Sequence, residues 1–118
     1  MANDYLDRSY WNALIKMSLS RLFILKILCK ESLHGYEITK RISELTKGCC
    51  APTEGALYPV LKEFEAGGYL ECRSEVVSGR TRKIYKITDK GVRAFHVGLE
   101  AWYDTAKALV DEKEKLES

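Results

Sequence analysis

Histidine is nearly absent from this chain: of 118 residues only His34 and His96 are histidines. Neither is accompanied by a nucleophile, a phosphate-binding loop or metal-ligand spacing, so no enzyme centre is expected, and with it no metal and no cofactor. Long apolar runs are lacking too. The most apolar stretch, Leu22 to Cys29, is short and interrupted by Lys26. Residues 1–17 lack the cationic flank and apolar run of a signal peptide, which predicts no membrane partner and a cytoplasmic location. The four cysteines, Cys29, Cys49, Cys50 and Cys72, are too sparse for a disulfide framework and wrongly spaced for zinc, so thiols in a reducing compartment are expected. Net charge is small as well. A value of +2 does not by itself call for nucleic acid, and the distribution of charge has to decide.

With 46% hydrophobic residues the chain suits one compact domain that buries roughly two-thirds of its unfolded surface. One stretch organises the rest, Thr53 to Gly68. Leu57, Leu61 and Phe64 fall at helical spacing with Val60 beside them, a stripe that packs on a core. The opposite face carries Gly55, Pro59, Lys62 and Ala66, with Tyr58 on its shoulder, a surface slim enough to enter a groove. Thr53 is placed to cap the helix and Gly67-Gly68 to end it in a left-handed residue. Pro59 cannot donate to the carbonyl of Gly55, which predicts a loosened first turn.

Before this helix, Ser9 to Lys16 predicts a short leading helix behind a frayed segment, Asn3 to Asp7. A central core helix from Ser18 follows, apolar at Leu19, Leu22, Phe23, Ile24, Ile27 and Leu28. A turn at Glu31 to Gly35 leads to a third helix, Tyr36 to Leu45, with Ile38, Ile42 and Leu45 as its stripe. Gly48 and Pro52 mark a stop and a re-entry. After it, Tyr69 to Val77 and Arg82 to Ile87 predict a β-hairpin joined through Ser78-Gly79-Arg80-Thr81. Across residues 72–93 seven cations (Arg73, Arg80, Arg82, Lys83, Lys86, Lys90, Arg93) oppose Glu75 and Asp89, a local excess of seven minus two, or +5. Thr88 is placed to cap a long final helix with Val92, Phe95, Leu99, Trp102, Ala106, Leu109 and Leu116 in heptad register, and His96, Tyr103 and Val110 widen the face. One side can pack at home and the other on a partner.

Helices followed by a two-stranded basic wing give a mostly α fold with a small β-hairpin, a winged helix-turn-helix over residues 9–88 and a dimerisation helix over 89–118. That order suits DNA, with the slim helix in the major groove and Arg80, Arg82 and Lys83 reaching phosphates.

The residues resemble the PadR family of bacterial transcriptional regulators. The match rests on His34-Gly35-Tyr36-Glu37-Ile38, on Gly55 with Leu57-Tyr58-Pro59 and Leu61, on Glu65 with Gly68-Tyr69-Leu70, on Gly79-Arg80 with Arg82-Lys83-Ile84-Tyr85, and on Thr88 with Gly91. These motifs cover most of residues 18–93, and the single C-terminal helix is similar to that of the family's short members. The resemblance implies a homodimeric repressor on an inverted-repeat DNA operator, released by a small molecule or stress signal. Candidate DNA-contacting residues are then Tyr36, Thr53, Gly55, Tyr58, Lys62, Arg80, Arg82 and Lys83, and the candidate dimer interface is Val92, Phe95, Leu99, Trp102, Ala106 and Leu109. Ile84, Phe64 and the pair Cys49-Cys50 depart from the family pattern.

Trp102 has two readings. It is either interface core or, with Phe95, Leu99 and Trp11, part of the wall of a pocket for an aromatic or hydrophobic effector; drug-responsive members similar to this chain carry a tryptophan on this helix. Cys49-Cys50 is either loop filling or a thiol sensor favoured by nearby Lys47. A different class of function also stays open, a winged helix used for protein interaction, supported by Glu54, Glu63 and Glu65 on the slim helix.

Overall fold

The computed structural model describes residues 4–118. In chain order the elements are α1 (Arg8–Leu28), β1 (Leu33–His34), α2 (Gly35–Thr46), α3 (Glu54–Ala66), β2 (Leu70–Val77), β3 (Arg80–Ile87) and α4 (Asp89–Glu117).

The leading helix and the central helix expected from the sequence are one helix. α1 runs unbroken for 21 residues because neither glycine nor proline interrupts it. Where the apolar pattern changes, the hydroxyl of Ser18 donates to the carbonyls of Leu14 and Ile15 at 2.9 and 3.3 Å, a local bond that a helix absorbs. Asp7 does not fray. Its carboxylate accepts the Ser9 N–H at 2.9 Å as the N-cap, and the bonds from the Ser9 backbone and hydroxyl hold the carboxyl below its ordinary pKa. Asn3 lies outside the described residues.

α2, α3 and α1 enclose the core through Ile38 and Ile42, Leu57 and Leu61, and Ile24, Leu25 and Leu28. The stripe of α3 is as expected, with Val60 and Phe64 partly buried at its edges. That of α2 is shorter than expected: Leu45 is 51% exposed. Three antiparallel strands in the order β1-β3-β2 close the domain, so the hairpin is part of a larger sheet whose two-residue strand β1 replaces the expected turn. The connection between β2 and β3 is also tighter than expected. Only Ser78 and Gly79 join them, both at positive φ (52° and 76°), the backbone of a two-residue hairpin turn.

α4 begins inside the domain and leaves it. Gly91 and Phe95 are buried, and from Leu99 to the end every residue is exposed. At about 1.5 Å per residue the 29-residue helix is roughly 43 Å long, and its outer two-thirds has no core of its own.

Candidate nucleic-acid interface

Strand β1 places His34 at the start of α2 and beside the wing. The Glu37 carboxylate accepts the His34 N–H at 3.1 Å, which closes the first turn of α2. The His34 ring lies across the wing strand, its Nδ1 at 3.1 Å from the carbonyl oxygen of Lys83. A carbonyl only accepts, so Nδ1 carries the proton. Nε2 is 4.0 Å from the Glu75 carboxylate on β2. Tyr36 stacks parallel to the same ring, centroids 6.0 Å apart, and the Arg82 guanidinium lies 5.1 Å above the Tyr36 ring, a cation on an aromatic face. Helix and wing are thereby locked together through His34, Tyr36 and Arg82.

Gly35 is the hinge of this arrangement. A Cβ there would meet the Tyr58 phenol at 2.7 to 3.0 Å, so glycine is what lets the Tyr58 ring of α3 lie against the first turn of α2. Thr53 caps α3, its hydroxyl accepting the Ala56 N–H at 3.3 Å. Gly55, Tyr58, Pro59 and Lys62 all stand exposed on the outer face. A Cβ on Gly55 would have nothing within 4 Å, so no contact inside the chain calls for glycine at a helical position where it costs about 1 kcal/mol relative to alanine. The helix is continuous through Pro59.

His34, Tyr36, Tyr58, Thr81, Arg82 and Lys83 line a hollow of about 280 Å³ between α2, α3 and β3, floored by Tyr85. Burial pushes the Tyr85 phenol up to about 12, with neighbouring Cys72 and Tyr58 adding to it, so this floor is neutral. Four of the eight candidate DNA-contacting residues therefore meet at one place. Arg80 stands beside the turn at the wing tip. The Nε of Arg82 is buried with no hydrogen-bond partner.

Residues 24–97 match the Transcriptional regulator PadR-like family. The chain belongs to that family. The transcriptional regulator Rv3488 of Mycobacterium tuberculosis is 32% identical over 90 residues, 76% of this chain and 81% of its own. The transcriptional regulator YqjI of Escherichia coli is 36% identical over 73 residues, 62% of this chain but 34% of YqjI, so the chain spans about a third of that relative's length. Among solved structures, Bacillus subtilis PadR in complex with operator DNA superimposes with a TM-score of 0.62 at 29% identity, covering 67% of this chain and 45% of that one.

Other candidates of this PadR-like chain sit apart from the hollow. The +5 of residues 72–93 is not one patch. Strand alternation sends Arg73 and Lys86 to a separate hollow with Ser32, Glu71 and Ile84, and Lys90 is spent at the root of α4, over the Tyr69 ring at 4.5 Å and donating to the Gly67 carbonyl at 2.7 Å. Of the acidic residues on α3, Glu63 pairs with Arg21 of α1 at 3.1 Å.

The seam residues of α4 divide in two. Phe95 is 8% exposed and belongs to the chain's own core, and Val92 is partly buried. Leu99, Trp102, Ala106 and Leu109 are exposed. Phe95 and Leu99 line an apolar cavity of about 390 Å³ with Leu22, Phe23, Lys26 and Leu45. Trp102 borders a different hollow, with Ala101 and Thr105. Trp11 joins neither, because its ring packs on Tyr5 and Tyr10 and its Nε1–H donates to the Tyr5 carbonyl at 2.9 Å. Within one chain the four candidate effector residues thus occupy three places.

The cation acting on Cys50 is Lys16, not the expected Lys47, and burial outweighs it: burial and the bond with Cys49 push the Cys50 thiol up to about 11. A thiolate sensor needs the opposite shift.

Proposed function

We propose that this chain is a DNA-binding transcriptional regulator acting as a homodimer, with α3 in the major groove and the wing on the flanking phosphates. The observation that carries this reading is the convergence of Tyr36, Tyr58, Arg82 and Lys83 on one hollow beside a helix face kept slim by Gly55. A glycine with open space around it fits close approach of another molecule's backbone. The guanidinium of Arg82, held over the Tyr36 ring at the edge of this hollow, fits a phosphate oxygen, which accepts charge-assisted bonds and releases counterions. Base reading is sparse on this surface, so specificity draws on DNA shape and half-site spacing.

Dimerisation is assigned to the exposed seam of α4. Leu99, Trp102 and Leu109 are 45, 37 and 70% exposed in one chain, and a long amphipathic helix without a packing partner is marginal in water. The second copy sets two reading heads roughly 34–36 Å apart, or a multiple, to match successive major grooves. The regulator is read as a repressor of an inverted-repeat operator, released when a flat apolar effector enters between the two copies near Trp102.

Footprinting on genomic fragments captured by the protein tests the reading. The expected result is two protected half-sites centred about one or two helical turns apart. Capture of no fragment above a random-sequence background, or a single protected half-site at saturating protein, overturns it.

A further inference from the structure

Cys49 and Cys50 are left unused by the DNA-facing surface, and the loop that carries them is built with care. Lys47 and Gly48 both adopt positive φ, 54° and 81°, turning the chain sharply out of α2. The Cys49 N–H donates to the Thr46 carbonyl at 3.2 Å. The Cys50 N–H donates to the Thr46 hydroxyl at 3.1 Å, and that hydroxyl donates to the Ile42 carbonyl at 2.8 Å. The result holds the two Sγ atoms 3.4 Å apart, with Cys50 at 3% exposure in the core and Cys49 more accessible.

We propose that Cys49 and Cys50 form a chelating dithiol for a monosubstituted trivalent arsenical, R–As=O. The sulfur separation selects among thiol ligands. A disulfide between adjacent residues must bring its sulfurs to about 2.05 Å, which strains the backbone between them. Tetrahedral zinc, with bonds of about 2.3 Å, spreads its sulfurs to about 3.8 Å and requires two more ligands, whereas no cluster of three or more potential ligands occurs among the described residues. A linear two-coordinate soft metal places its sulfurs on opposite sides, two full bond lengths apart. Pyramidal arsenic, with bond angles close to a right angle, brings two sulfurs nearer than a tetrahedral metal does, and when one position is carbon it takes only two from the protein.

The step balances without an oxidant. Two As–S bonds form, the As=O bond and both S–H bonds break, and the two thiol protons leave on the arsenical oxygen as one water; arsenic stays trivalent. Cys49 reacts first, and the second sulfur is already within reach. Burial keeps Cys50 protonated near neutral pH, which slows oxidation of the pair and leaves both protons in place to depart with water. The site lies between the last turn of α2 and the Thr53 cap of α3, but its occupation does not depend on whether α3 contacts DNA.

The test uses the full chain, fully reduced, with one equivalent of phenylarsine oxide, read by intact mass. The expected result is a single adduct of the reagent less one water, removed by 2,3-dimercaptopropanol and retained in excess monothiol. Cys29→Ser and Cys72→Ser should keep the adduct. Cys49→Ala and Cys50→Ala should lose its resistance to monothiol, and each variant is checked for cooperative melting; Cys49→Ser, at the more accessible position, stands in if the core variant fails to fold. No adduct on the wild-type chain, an adduct that a monothiol strips, or one that keeps its resistance in Cys49→Ser overturns the proposal.

Discussion

Replacing Arg82 by methionine separates the folding role of this side chain from its DNA role, and the structure gives opposite signs for the two. Arg82 is half-buried, its guanidinium 5.1 Å above the Tyr36 ring and its Nε without a partner. Methionine keeps an unbranched apolar stem of similar length. The folded chain loses a cation–π contact of about 0.5–1 kcal/mol and is relieved of a buried unpaired donor that costs about 1–3 kcal/mol. The balance runs from near zero to about 2 kcal/mol in favour of the variant, so urea melts should show unchanged or raised stability. DNA binding should move the other way. One phosphate contact fewer per chain lowers the slope of log K against log salt by about 0.9, hence by about 1.8 for a dimer. Loss of a charged hydrogen bond at about 1.5–3 kcal/mol per chain weakens binding by roughly a hundredfold or more. Fluorescence anisotropy with operator and random duplexes across a salt series reads both. An unchanged salt slope would refute the phosphate contact, and a loss of more than about 2 kcal/mol in the melts would refute the reading of Nε as an unpaired burden.

Three other perturbations follow from the geometry. In the proposed dimer, Leu109→Glu removes an apolar contact of roughly 1.5–3 kcal/mol from each copy and should leave monomer at micromolar concentration; a variant that still sediments as dimer rules out this seam. Gly91→Ala sets a Cβ 2.2 Å from the Tyr69 carbonyl oxygen and 2.6 Å from Ile87, so the gain in helix propensity of about 1 kcal/mol should be outweighed by strain of about 1–3 kcal/mol; a variant more stable than wild type in urea contradicts the close approach. Tyr85 ionises near 10 when unfolded and near 12 when folded, so above pH 10 the unfolded chain loses its proton first and stability falls as pH rises. Tyr85→Phe should lessen that alkaline decline in pH-dependent melts, and an identical decline argues against a buried phenol.

How much of this was legible from residues alone depended on the range of the interaction. The capped helix α3 was readable because Thr53, the Leu57-Leu61-Phe64 stripe and Gly67-Gly68 are all local signals. The split of α1 into two helices was an error of pattern: the apolar face broadens after Met17, but a change in the width of that face does not end a helix. β1 is two residues long and exists through its pairing with Tyr85 and Ile84, a contact across about fifty positions that no local periodicity encodes. Ser78 at positive φ hid the short turn, since serine rarely takes that conformation. Alternation along β2 and β3 could have shown that Arg73 and Lys86 face away from Lys83, whereas the place of Arg82 on Tyr36 depends on β1. The own-core position of Phe95 was hidden by the regularity of the heptads, which do not show where a helix leaves its domain.

The junction between α3 and α4 gives these separate parts a mechanical connection. Tyr69 follows the Gly67-Gly68 turn that ends α3 and donates its N–H to the Phe64 carbonyl at 2.8 Å, while its own carbonyl accepts the Thr88 N–H at 3.1 Å. The Thr88 hydroxyl donates to the Gly68 carbonyl at 2.7 Å and accepts the Gly91 N–H at 3.1 Å. Lys90 adds its bond to the Gly67 carbonyl. The turn that ends α3 and the cap of α4 are thus tied through three consecutive residues, Gly67, Gly68 and Tyr69, with the bare Cα of Gly91 pressed on the Tyr69 carbonyl. Such a joint transmits a tilt of α4 to α3 because its bonds run in several directions and no flexible linker lies between the helices. At the other end of α3, Tyr58 rests on Gly35, and β1 and His34 tie that region to the wing. In the proposed homodimer, a change in the angle between two α4 helices would therefore move each reading head as one body, altering the spacing of the pair while leaving the contacts inside each head intact.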